Sequence, residues 1–586
     1  MRKTLAYLQF FLQISADGCW IRNGFRSWLG IIANCYLLWE TSKQPPTKTR
    51  VGELAGELGI KDSVNNEIMM FKYSIQAKGD NATPANNAFT KRISDTDRAN
   101  PSRLFNPFFR LPDFDGCTDT PVEVLHVFLL GVVKYMVRNI MGRAKPAELG
   151  IIEGWYRAFV TTSLNIPSLS AYYMSKHSSN FVGKEFKIAL QSAPFVLFSS
   201  MTKDERLAWG ALCQLAPLVF QTRIEDMDSY ILDLRFHIQK FLYYIIKISA
   251  QWVNKPKFHM LLHLPDSIER FGPASLFATE KFESYNGVLR NASIHSNRQS
   301  PGKDIAITFA NYKVLRHLIC GGLISHPKQP KRYISAASSV SQLFLDNPSL
   351  QRSMDYNEEL AQGNSNFPHP VNAALPPADK GWVPPPLNLH LPGREFFQLK
   401  AIRLNAHRTL QKGAFFLVRQ AAHSGVHAVG SVDHLWEARR RSHISYWVCY
   451  TEYQRKGVDY FYQMRKLRKT GITKFINIKD VISTINVQHN CQAGGCEVTV
   501  TGRVRVEREE SEENNATVAH KNTVDYVVNS LELPGARALR EWVDLPRGEE
   551  EVHDLIPMLE KGLAAWVNAG GGGEDEEGDV DVPRVV

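Results

Sequence analysis

Between Thr120 and Gly142 apolar residues recur at helical spacing, with Val122, Leu125, Leu129, Val132, Val133 and Met136 on one side, and that period predicts a helix burying the stripe. Thr120-Pro121-Val122-Glu123 reads as a capping box with Pro at the first helical position, Glu123 closing the box. The same period predicts helices over 150–163, 203–221, 227–253, 256–264, 277–292 and 304–320, and one or two more within 51–78, broken near Gly59. Residues 79–106 are polar and rich in Asn, Asp, Pro and Ser, which reads as a loop.

Past residue 335 the pattern changes. Long apolar runs disappear around Pro384-Pro385-Pro386, as in a linker with short elements. Then Ala414–Val418, Tyr446–Tyr450, Lys474–Val487 and Glu497–Val506 are rich in β-branched and aromatic residues bounded by turn residues, the signature of strands. The expected class is α+β: a mainly α-helical region followed by a small antiparallel β-barrel, the latter vaguely similar to the bromo-adjacent homology barrels of chromatin proteins. The boundaries read as a poorly defined segment 1–50, a helical region 51–334, a linker 335–394, a barrel 395–545, a short helical segment 546–569, and a Gly-rich, then acidic, disordered tail 570–586.

Composition adds little to the fold class and more to the partners. Hydrophobic residues make up 44% of the 586 and charged residues 22%, close to globular averages. The net charge of +10 is unevenly spread: residues 255–332 carry twelve Lys or Arg against five Asp or Glu, a balance that suits a polyanion. The eight cysteines form no disulfide framework, which fits a reducing compartment. Met-Arg-Lys before the apolar run Thr4–Ile14 imitates a short signal peptide, but nothing later in the sequence supports export. The run Leu29–Trp39 is shorter than the roughly 20 residues of a spanning helix, so no membrane partner is expected.

Four groups of residues have spacings that chemistry uses. Glu123 and His126 lie three apart at a helix start; by spacing alone the first is a capping group and the second a partly buried polar residue. His259 and His263 are one turn apart, as two imidazoles on one metal would be, yet ordinary histidines show the same spacing and no Cys-x-x-Cys exists in the chain to complete a zinc site. Glu280 and Glu283 share a helical face within the basic stretch, where carboxylates hold divalent ions and cations hold phosphates, or simply form a solvated surface. Cys491 and Cys496 flank a Gly-Gly turn, as half of a zinc site or as free thiols at a hairpin.

Taken in order, Asn106-Pro107, Leu111 to Gly116, Thr120 to Tyr135, Lys255 to Asn291 and His295 to Arg298 resemble the CACTA-like DNA transposases, most closely the fungal Plavaka-type elements, with the V(D)J recombinase catalytic subunit a distant relative. The resemblance covers about residues 50–320. It implies a partial RNase H-like region, a DNA partner, a nuclear location and an ancestral Mg²⁺ or Mn²⁺ requirement. It makes Glu283 the distant metal-binding glutamate, His259 and His263 the histidine half of a zinc site, and His126 a family histidine; Glu123 stands where the family often has Asp. Lys281, Arg290, Arg298 and Lys303 fall among the DNA contacts it implies. The two aspartates and the cysteine pair that precede the glutamate in the family have no match in residues 1–119. The expectation is therefore a transposase-derived protein, catalytically incomplete but retaining DNA binding. The alternative is a non-enzymatic chromatin- or protein-binding module acting through the C-terminal β region.

Overall fold

In a computed structural model the described residues are 27–43, 48–58, 60, 62–78, 83–99, 106–166, 168–249, 252, 255–294, 296, 299–319, 322–347, 367–372, 374–376, 385, 393–405, 408–419, 428–440, 443–501, 504–506, 509–511, 515–533, 539 and 564. The apolar run Thr4–Ile14, the tail 570–586 and nearly all of 546–569 lie outside them. The chain is α+β with antiparallel sheets, and it divides into two compact units. One comprises residues up to Leu149 together with Ser175–Ala278; the other comprises Gly150–Met174 and Thr279–Pro546.

The first unit is helical, and among its described residues there is no strand. Trp28–Thr41, Lys48–Leu58, Ser63–Lys78 and Pro84–Ala99 close around Ile31, Cys35, Leu38, Trp39, Met69 and Ile93. The helix Pro84–Ala99 replaces most of the expected loop. Its polar composition hides a start signal: Thr83 caps the first turn by accepting from the Asn86 N–H at 3.3 Å, with Pro84 at the first helical position. Asp97 then accepts from the Trp39 indole at 2.9 Å and pairs with Lys43 at 2.8 Å, tying this helix to the buried face of the first. The pattern predicted no helix between 164 and 202, yet Gly183–Val196 is one, with Phe186, Leu190 and Val196 fully buried. A helix buried on most sides shows no amphipathic stripe to read.

The helix expected from the Val122–Met136 stripe is present but starts and winds differently. Val124–Val133 is a ten-residue π-helix that runs into the α-helix Lys134–Arg143. Glu123 is its N-cap rather than the third residue of a capping box: the buried carboxylate accepts from the N–H groups of Leu125 at 2.9 Å and His126 at 2.8 Å. Thr120 instead donates its hydroxyl to the Gly116 carbonyl at 2.6 Å. The span 124–143 is long and apolar enough to cross a membrane, but 67% of its most apolar window is buried, as in the core helix of a globular unit.

In the second unit the helices Glu280–Ile294 and Pro301–Ile319 pack together, with Tyr285 edge-on to Phe309 at 5.4 Å. An exposed ribbon of β1 (Ile324–His326) and β2 (Gln329–Ile334) follows. The expected linker contains the helix Ser338–Leu345 and β3 (His369–Pro370). The strands after it are β4 (Glu395–Leu399), β5 (Ala401–Asn405), β6 (Arg408–Gln411), β7 (Phe415–Val418), β8 (Ala428–Arg440), β9 (His443–Asp459), β10 (Met464–Asn477), β11 (Val481–Ile485), β12 (Val487–His489), β13 (Glu497–Thr501), β14 (Val504–Val506), β15 (Glu509–Ser511), β16 (Asn515–Ala519) and β17 (Asp525–Val528). The main sheet runs β11-β7-β8-β9-β10-β17-β12, with β4 on β8. No ladder joins β11 to β12, so the expected barrel is not closed. The two ends of the path are nonetheless neighbours in sequence, separated only by Asn486. The sheet therefore curls until its ends meet at one residue, around a core of Ile402, Leu410, Phe416, Val432, Leu435 and Val448.

Asn486 holds that seam with every hydrogen-bonding position of its side chain. Its amide donates to the carbonyls of Val160 at 2.9 Å and Thr162 at 2.7 Å; its oxygen accepts from Gln488 at 2.7 Å and Asn529 at 2.9 Å. Gln488 adds a two-point grip on Val160, accepting from its N–H at 3.0 Å and donating to its carbonyl at 2.7 Å. Beside them the buried Glu532 accepts from the Asn486 N–H at 2.6 Å. Burial pushes its carboxyl up to about 7, only partly offset by Arg408 at 3.8 Å.

A carboxyl whose pKa is raised on folding takes up protons as the chain folds. Its stabilising contribution is full below the unfolded value near 4.5 and is lost as pH rises through about 7. The second unit should therefore lose at most about 3 kcal/mol between those limits, at roughly 1.4 kcal/mol per unit. Glu532→Gln should flatten the profile. Denaturant titrations of both proteins at pH 5, 6, 7 and 8 check this, and parallel profiles would contradict it.

Candidate metal centre

β12 ends at His489, and the chain turns at once through a short helical turn, Cys491–Gly494, into β13. Asn490 caps the turn, accepting from the Ala493 N–H at 3.1 Å. Gly495 leaves it with φ +61, the left-handed region where a side chain is strained. At Gly494 a Cβ would meet the Cys496 sulfur at 3.3 Å and His489 Cε1 at 3.1 Å, so a side chain there would crowd two of the ligands. β13 then pairs with β16 from Glu497↔Ala519 to Thr501↔Asn515. This pairing places Cys496 just before the first strand of the hairpin and His520 just after the last.

The turn and the hairpin base bring four ligand atoms together. His489, Cys491, Cys496 and His520 each offer one, all within 4.8 Å of one another. His489 Nδ1 lies 3.4 Å from the Cys491 sulfur and 3.7 Å from that of Cys496, and His520 Nδ1 lies 3.5 Å from the Cys491 sulfur. Tetrahedral zinc, with bonds of about 2.3 Å to sulfur and about 2.0–2.1 Å to nitrogen, sets sulfur–nitrogen edges of about 3.5 Å. The remaining ring nitrogen of His489 faces the Asn522 side-chain oxygen at 3.2 Å, and the Lys521 N–H donates to the Cys496 sulfur at 3.4 Å. Second contacts of this kind orient metal ligands. Burial, then the neighbouring Cys496, pushes the Cys491 thiol up to about 12; burial, then His489, pushes His520 down. Two sulfurs sharing a buried site become thiolates when a cation sits between them.

The other expected site residues are placed less productively. Glu123 and His126 are joined at 2.8 Å, His126 Nδ1 on the capping carboxylate. His259 and His263 do approach, Nε2 to Nε2 at 3.2 Å. They do so across an α-helical stretch that tightens into a 3₁₀ turn. Burial lowers both, His259 to about 4, with His263 adding to that shift. Among the described residues the sole gathering of three or more His, Cys, Asp or Glu ligands is the one at 489–520, so neither a second zinc set nor a carboxylate group for two divalent ions forms there. Glu283 is exposed in the first turn of Glu280–Ile294. Among the described residues no group of three or more ligands forms around Glu283, as holding a pair of Mg²⁺ or Mn²⁺ ions would require. Asp115 and Asp119 shape the loop before the π-helix: Asp115 accepts from the Cys117 N–H at 2.8 Å, and Asp119 pairs with Arg270. Arg290 and Lys303 are exposed; Arg298 and the side chain of Lys281 lie outside the described residues. Nothing in the sequence marked His520, which stands 24 positions after Cys496 across an entire hairpin. The signal that was available is His489, two positions before Cys491.

A family described as a domain of unknown function, DUF8590, matches residues 369–546. Its span includes β3 to β17 and the whole Cys/His group. No curated protein and no solved structure matches the chain.

Proposed function

We propose that this is a non-enzymatic DNA-binding protein descended from a CACTA-like, Plavaka-type transposase and acting in the nucleus. The observation that carries the proposal is the surface of the second unit between residues 280 and 334. Arg290, Lys303, Lys313, Arg316, Lys328, Lys331 and Arg332 are exposed there, against Glu283 as the one exposed carboxylate among the described residues. Cations on paired helices and a protruding ribbon can follow a phosphate backbone, and such contacts need no base reading. A partial RNase H-like ancestry rests on the sequence resemblance.

A second reading has its own observation. The β region carries the family match and its own ligand group, which is the basis for reading it as a self-contained module for a chromatin or protein partner.

Two-metal strand transfer needs several carboxylates around both ions. Purified protein with Mg²⁺ or Mn²⁺ is therefore expected neither to nick nor to join DNA carrying transposon ends. Metal-dependent cleavage that disappears in Glu283→Gln would overturn the non-enzymatic reading.

A further inference from the structure

We propose that His489, Cys491, Cys496 and His520 bind one zinc ion as a closed, structural site that fastens the base of the β13–β16 hairpin to the main sheet. The four residues come from three places in the chain: the end of a sheet strand, the turn after it, and the base of the hairpin. His489 is the last residue of β12, paired with Tyr526 of β17. Cys491 sits in the turn, and Cys496 and His520 flank the first pair of the hairpin. A single ion bound to all four fixes the direction in which the 497–519 hairpin leaves the sheet.

The donor set and its geometry select the metal. Two sulfurs and two imidazole nitrogens at edges of 3.4 to 3.7 Å suit tetrahedral zinc, whereas Mg²⁺ and Ca²⁺ take oxygen ligands. Four protein ligands fill the coordination sphere, which leaves no position for water or substrate and makes the site structural rather than catalytic. His489 is aimed by Asn522 and the Cys496 sulfur by the Lys521 N–H, contacts that fix a ligand before the ion arrives. This site is independent of DNA binding, since its residues lie outside the basic surface.

The test uses the full chain purified under reducing conditions. Elemental analysis should find one zinc per chain. Replacement by Co²⁺ should give a sulfur-to-cobalt charge-transfer band and the visible bands of tetrahedral cobalt. His520→Ala changes an exposed side chain and should fold, yet weaken zinc at least tenfold, while His520→Cys should restore it; Asn522→Ala should cost about tenfold. Removing zinc should speed hydrogen exchange at 497–519 and leave 124–143 unchanged. Cys213→Ser and the pair His259→Ala, His263→Ala should keep the ion. The proposal fails if the reduced chain neither contains nor takes up zinc, if the ion is lost with His259 and His263 instead, or if Cys491 and Cys496 are found joined as a disulfide. None of these results bears on DNA affinity, so this site and the DNA-binding reading fail separately.

Discussion

Asn486→Ala is expected to destabilise the second unit by about 3–5 kcal/mol. The side chain is fully buried and makes four hydrogen bonds, to Val160, Thr162, Gln488 and Asn529, which is the whole capacity of a carboxamide. Alanine removes them all and leaves several buried partners unmatched, at roughly 1–3 kcal/mol for each group that finds no replacement. Val160 keeps its bonds to Gln488, which limits the loss. The position also joins β11 to β12, so the damage reaches both ends of the sheet. Chemical denaturation combined with hydrogen exchange over 428–533 would measure it. A change below about 1 kcal/mol would mean that the seam is held by its hydrophobic core rather than by this network.

The contrast between Asn486 and the helices shows what was legible beforehand. The stripe from Val122 to Met136 is local, and a helix does lie there. Its π winding was invisible, because the same apolar residues satisfy either turn width. Residues 84–99 were misread because Asn, Asp and Ser suggested a loop, while the Thr83-Pro84 start signal and the anchoring of Asp97 to Trp39 depend on position and tertiary contact. The period-2 segments located several strands but not their order. That order pairs β12 with β17, nearly forty residues later, and leaves the path open at Asn486, where a closed barrel was expected. The candidate site divides along the same line. Cys491 and Cys496 attract notice through proximity in sequence, whereas His520 reaches them only because β13 and β16 pair in register. Glu123 and His126 were visible as a pair, and the structure accounts for them as a cap and its neighbour.

Under the proposed function the exposed cations of 290–332 bind DNA through its phosphates. Reversing Arg290, Lys303, Lys313 and Arg316 to glutamate changes only exposed positions, so the fold should survive, and circular dichroism with an unchanged unfolding midpoint would establish that. Each lost phosphate contact removes about 0.9 from the dependence of log affinity on log salt. The most direct measurement is the affinity of the full chain for a duplex of arbitrary sequence from about 50 to 300 mM salt, beside that of the fourfold variant. DNA binding through these cations predicts a wild-type slope of about −4 to −6, little preference between sequences, an affinity at 100 mM salt lowered on the order of 100-fold in the variant, and a slope shallower by about 3–4. A wild-type slope near zero, or a variant that binds as tightly as the original with the same slope, would contradict it.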